Sequence, residues 1–251
     1  MGIITRNTAF ISSLLIFAVL EIIAARPQAV YLSLLRLLFL MLAAYLLSGR
    51  RILHKNFWFC LMPPLLFLTS GFLFLYFLET GLFRQILIAF ISLFNWLFLK
   101  SYYQVFLLGQ EPKILADLLN ALTLFTAFFF FLGFFALKIF LDLNVWLLTF
   151  FVVLASFLLI WQNFRLVAVK HSFSPLYYVV ILLVLTEVFF GLTYFPTNFL
   201  VNGLFFTTLF YLFFNISRVQ IEGRLTKKIL LSYLALGAGI TIIVFSTAQW
   251  I

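Results

Sequence analysis

One cysteine, Cys60, stands among 251 residues. An internal disulfide and any site built from several thiolates are therefore excluded, and Cys60 itself, inside an apolar run, reads as a small hydrophobe. Acids are scarce as well: seven Asp and Glu in all, against sixteen Lys and Arg, with two histidines, His54 and His171. No Gly-x-Ser-x-Gly, His-Glu-x-x-His, phosphate-cradling glycine loop or aspartate-rich metal pair occurs, so the common nucleophile, zinc and nucleotide motifs are missing. The sequence assigns no catalytic residue, no metal ligand and no cofactor. Charged residues make up only 9% of the chain, where a soluble domain carries roughly 25%.

Apolar side chains fill the remainder. Hydrophobic residues account for 66% of positions and phenylalanine alone for 37 residues; mean hydropathy is +1.22. Apolar runs near twenty residues recur from end to end, the length that crosses a bilayer core. Tryptophans and tyrosines such as Trp58, Trp96, Trp146, Tyr76 and Tyr194 gather where these runs begin or end, as amphipathic rings do at a membrane–water interface. The expected fold is all-α, a polytopic transmembrane helical bundle forming a single domain over 1–251, with no soluble domain. About nine spans are predicted: Thr8–Ala25, Ala29–Ser48, Phe57–Glu79, Gly81–Leu99, Ile114–Ile139, Leu143–Gln162, Pro175–Tyr194, Thr197–Ile216 and Ile229–Trp250. Arg6 precedes the first run, but no small-x-small cleavage pattern follows it, so that run is expected to be an uncleaved helix.

Charge placement predicts orientation. With the N-terminus inside, the inner segments collect twelve basic residues against three acids, Glu111, Asp117 and Glu222. The outer half balances Arg26, Arg36, Arg84 and Lys138 against Glu21, Glu79, Asp142 and Glu187. An excess of Lys and Arg on short loops marks the cytoplasmic side, so the N-terminus is expected in the cytoplasm and the C-terminus outside it, in a cytoplasmic or inner membrane. The net charge of +9 then serves topology and contact with anionic lipid headgroups at the cytoplasmic face, not nucleic acid.

Ionisable groups inside spans are the sharpest candidates, because an unpaired charge in hydrocarbon costs at least about 2.5–3.5 kcal/mol. Arg36 and Glu187 each lie seven residues from the outer end of their spans, some 10 Å deep at ~1.5 Å per residue. Glu21 and Arg84 lie shallower on the same side. An outward-leaning cluster of Glu21, Arg36, Arg84 and Glu187 suits substrate binding or proton coupling, while structural ion pairing is the simpler role. Lys113 with Asp117 and Lys138 with Asp142 are i,i+4 pairs expected to neutralise each other. Asn95, Asn120 and Asn202 are buried amides expected to bond between helices.

Two features concern the backbone and packing. Pro63 and Pro64 remove adjacent N–H donors inside the third span and predict a kink or break there. In the last span, Ala235 with Gly239 and Gly237 with Thr241 form small-xxx-small spacings that admit a neighbouring helix closely. Phe128–Phe131 with Phe134 and Phe135 wrap the fifth span all round, which suits a place against lipid, in a core or against a hydrophobic partner, lipid being the simplest. The function this composition suggests is a non-enzymatic scaffold or membrane subunit of a larger complex, with a membrane protein as partner. The alternatives are a carrier of a small or lipid-like solute through the outer polar cluster, or an enzyme handling a lipid phosphate through Arg50, Arg51, His54, Lys55 and His171.

Overall fold

In a computed structural model the protein is described over residues 3–25, 57–78, 81–108, 113–166, 175–221, 223–246 and 248. Eight α-helices are found among the described residues: α1 Ile3–Ala25, α2 Phe57–Tyr76, α3 Gly81–Leu108, α4 Lys113–Leu141, α5 Val145–Leu166, α6 Pro175–Leu192, α7 Phe199–Ile221 and α8 Lys227–Ser246. Five contain segments long and apolar enough to cross a membrane: Gly81–Val105, Ile114–Leu141, Val145–Gln162, Phe199–Gln220 and Lys227–Ser246. Shorter apolar stretches occupy Ala9–Ala24, Met62–Tyr76 and Tyr178–Leu192. The chain is thus an all-helical protein with the helices of a multi-pass membrane protein. The expected second span, Ala29–Ser48, falls outside the described residues, as do Arg36 and the basic and histidine positions 50, 51, 54, 55 and 171.

Two expectations about the backbone need correction. α3 runs nine residues past its predicted end at Leu99, to Leu108, so much of the expected inner loop is helix. Extending a formed helix gains one hydrogen bond per residue fixed, and Tyr102, 1% exposed, gives the extension a buried anchor. α2 likewise continues through Pro63 and Pro64 as one helix, which corrects the expected break and not the kink. Proline's own φ is helical, and what is lost is two N–H bonds to the carbonyls of Phe59 and Cys60 near the helix start. Both prolines are buried, where a membrane protein re-satisfies such carbonyls through neighbours and local adjustment.

The protein forms two compact units, Met1–Thr123 and Leu124–Ile251. In the first, α1 packs along α3, and α2 joins both. The Ser13 hydroxyl donates to the Ser92 carbonyl at 2.6 Å, so α1 and α3 approach closely at their middles. Phe67 of α2 meets Phe90 and Phe94 of α3 at 6.3 and 6.0 Å between ring centroids.

In the second unit α5–α6, α6–α7 and α7–α8 pack in sequence. Its core is aromatic: Phe131 lies 4.6 Å from Phe206 and 5.5 Å from Phe210, and Phe135 lies 4.9 Å from Phe189. Phe129, Phe131, Phe134 and Phe135 are all buried, so of the three surroundings open to this run these four rings take the core rather than lipid. Edge-to-face pairs contribute about 0.5–1.5 kcal/mol each beyond area, and in lipid such packing, not hydrophobic exclusion, holds helices together. Gly203 lets α7 close on Leu132 of α4, where a Cβ would strike that side chain. At helix ends Trp146 and Tyr194 stay outside the core, 73% and 69% exposed.

The small residues of α8 divide by face. Gly237 is buried against Leu212 of α7, with no room for a Cβ. Gly239 has open space, and Ala235 is exposed; Thr241 is half-buried. Gly237→Leu should therefore destabilise the protein by about 1–3 kcal/mol through overpacking, while Gly239→Leu should leave it near wild type. Thermal unfolding of both variants in mild detergent checks this, and equal losses would contradict the packing.

Candidate functional site

At the shared end of α1, α2 and α3 the polar side chains are committed to helix termini. Arg84, one turn into α3, donates from Nη2 to the Leu78 carbonyl at 2.6 Å and from Nη1 to the Ala24 carbonyl at 3.3 Å. Ala24 lies in the last turn of α1, and Leu78 follows the end of α2. The Ala24 carbonyl is one of the last four of α1, which lack intrahelical donors and where the dipole favours a cation; the Leu78 carbonyl lies two residues past the end of α2. Gln85 donates to Glu21 Oε2 at 3.0 Å across the same α1–α3 seam. Glu21 and Arg84 are thus brought to one end of the unit, each bonded to another group and not to each other.

Arg36 lies outside the described residues. Glu187 is on the exposed face of α6 in the second unit, in line with Val180, Leu183 and Gly191, which are exposed too. No hydrogen bond or ion pair to Glu187 is formed among the described residues. It sits five residues, ~7.5 Å along the axis, from the helix end at Leu192.

Other polar groups hold the frame. Asn202 accepts from the Thr197 hydroxyl at 2.6 Å and donates to the Leu192 carbonyl at 3.4 Å, fixing the turn between α6 and α7. Asn144, Asn198 and Thr226 cap α5, α7 and α8, their side-chain oxygens accepting from the amides of Trp146, Val201 and Ile229. Each is a side-chain acceptor just before an apolar run, a signal present in the sequence and not drawn from it. Gly223, with φ 68°, ends α7. Its amide reaches the Gln220 carbonyl and the Arg224 amide reaches that of Val219, a paired closure that needs a left-handed residue. Asn95 is fully buried on α3 with both amide atoms unpartnered.

Lys138 and Asp142 form the expected ion pair at 2.5 Å. Asp142 has φ 43° and lies just past the end of α4, a conformation Asp tolerates better than most residues. The hydrogen bond and charge of Lys138 hold its carboxyl below the ordinary value of 3.8. A depressed pKa means that the pair's contribution is present above the unfolded value and is lost as pH falls through the folded one. Among the described residues no three His, Cys, Asp or Glu side chains gather as a metal site.

Removing Arg84 leaves two helix-end carbonyls without their charged donor, and such bonds contribute about 1.5–3 kcal/mol each. Arg84→Leu should lower the unfolding free energy by about 3–6 kcal/mol on that basis, with Arg84→Lys recovering part of it. Chemical denaturation followed by far-UV circular dichroism measures both; an unchanged midpoint in Arg84→Leu would refute the clamp.

No curated protein and no solved structure matches this chain. A family model does match over residues 12–247, from the middle of α1 to the end of α8, under the description "Protein of unknown function (DUF5656)". The chain belongs to that family.

Proposed function

We propose that the protein is a non-enzymatic membrane subunit, a helical scaffold that completes its polar contacts with a membrane protein partner. The observation that carries this reading is Glu187. A carboxylate on the outward face of an apolar helix, about 7.5 Å from its end, has no hydrogen bond or ion pair among the described residues, and charges in spans normally pair within a bundle. A cation or amide on a partner helix supplies that group. The other candidate charges fit the same reading, since Arg84 and Glu21 act at helix ends. Ala235 and Gly239 on α8 leave a second close-approach face open. In this reading the chain crosses a cytoplasmic or inner membrane about nine times, N-terminus inside and C-terminus outside, with basic loops against anionic headgroups.

A carrier reading draws on the same carboxylate, with Glu187 as proton carrier for a small or lipid-like solute. One substitution separates the two. If the protein is a subunit, Glu187→Gln and Gly239→Leu should each convert the particle extracted from its native membrane in mild detergent to the mass of the bare chain. Thermal stability of the isolated protein should be unchanged. In a carrier, Glu187→Gln leaves particle mass unaltered and abolishes pH-coupled flux in proteoliposomes. A native particle that already has the mass of one chain would overturn the subunit reading.

A further inference from the structure

An apolar groove of about 310 Å³ opens between α1 and α3, at the lower end of the size range of small-molecule sites. Its floor is where the two helices touch, at the Ser13–Ser92 hydrogen bond. That bond turns the Ser13 hydroxyl inward and leaves the walls to Phe10, Phe17, Leu93 and Trp96, with Ala89 at the far end. Trp96 to Ala89 is seven residues, ~10 Å along the helix.

One end of the groove is charged. Lys100 is exposed one turn beyond Trp96, and its Nζ sits 5.1 Å from the Trp96 ring centroid. The ring therefore holds an ammonium at the mouth of the groove. Lys100 to Ala89 spans eleven residues, ~16 Å, which matches half of the ~30 Å hydrocarbon core. Gly81 to Lys100 spans nineteen residues, ~28 Å, nearly the full core. Lys100 therefore stands at headgroup level when Gly81 stands at the opposite boundary, and the groove runs from that level towards the midplane. A plain apolar groove would take any acyl chain; a fixed cation at its polar end selects a headgroup with net negative charge.

We propose that this groove seats one acyl chain of an anionic phospholipid, its phosphate at Lys100 and its chain along Trp96 towards Ala89. The site stands apart from Glu187 and does not depend on the subunit reading.

Trp96 reports directly on the occupant. With Trp58, Trp146, Trp161 and Trp250 changed to Phe, the protein is reconstituted in phosphatidylcholine vesicles. These contain a minor fraction of chain-brominated phosphatidylglycerol or, in parallel, chain-brominated phosphatidylcholine. Quenching of Trp96 should show about fivefold preference for the anionic lipid, the factor one lysine near a surface supplies. Lys100→Gln should bring the preference to unity, and Ala89→Phe, which fills the groove, should lower quenching by both lipids. Equal quenching by the two lipids, or a preference that survives Lys100→Gln, would overturn the proposal. Native mass spectrometry of the chain with all five tryptophans gives an independent reading. Retained phosphatidylglycerol adducts should fall about fivefold in Lys100→Gln, and adducts unchanged by that substitution would overturn the proposal even if the single-tryptophan protein does not fold.

Discussion

Hydrocarbon offers no hydrogen bonds, so a chain that lives in it must bond its own peptide groups. That constraint organises the whole structure. It makes every described element of length a helix, and it concentrates the chemistry of the protein at helix ends, where donors and acceptors run out. Asn144, Asn198 and Thr226 supply the missing acceptors at three N-termini. Arg84 and the Gly223 turn supply donors at C-termini. Within the helices, Thr69, Thr123, Thr149, Thr186, Thr207 and Thr208 return their hydroxyls to a carbonyl one turn back. Most of the polarity that looks available for a solute is already committed to the backbone.

With peptide groups satisfied inside each helix, association rests on side-chain fit. This chain meets that need with rings more than with small residues. Phe131, Phe135, Phe189 and Phe206 interlock across α4, α6 and α7, and glycine permits close approaches at Gly203 on Leu132 and Gly237 on Leu212. A ring buries a large area with only two rotatable bonds to fix, so an aromatic core suits a bundle with few glycines. Gly239 on α8 and the exposed Glu187 on α6 lie outside this packing.

How much of this could be read from residues alone follows from which physics acts locally. Apolar run length is local, and apart from the C-terminal extension of α3 the described helices follow it to within a few residues. The i,i+4 spacing of Lys138 and Asp142 is local too, and the pair forms. The extension of α3 to Leu108 is not local, because it depends on Tyr102 finding a buried place. Nor is the continuity of α2 through Pro63 and Pro64, which depends on what surrounds the orphaned carbonyls. The inward turn of Phe131 and Phe135 has no sequence signature, since a helix apolar on every side has no preferred face. The charged candidates show the sharpest gap. Depth along a helix put Glu21, Arg36, Arg84 and Glu187 on one side of the bilayer, Arg36 and Glu187 the deeper pair, but depth says nothing of direction. Arg84 turns to two helix ends and Glu187 faces outward.

The account stands on helices that cross a bilayer and alternate their ends between its two faces. Single cysteines placed in a Cys60→Ser background test it. A membrane-impermeant maleimide should label Asp142→Cys in intact cells, and Lys100→Cys and Lys227→Cys only after permeabilisation. Labelling of Asp142→Cys and Lys227→Cys from the same side would contradict it, because α5, α6 and α7 could not then all span.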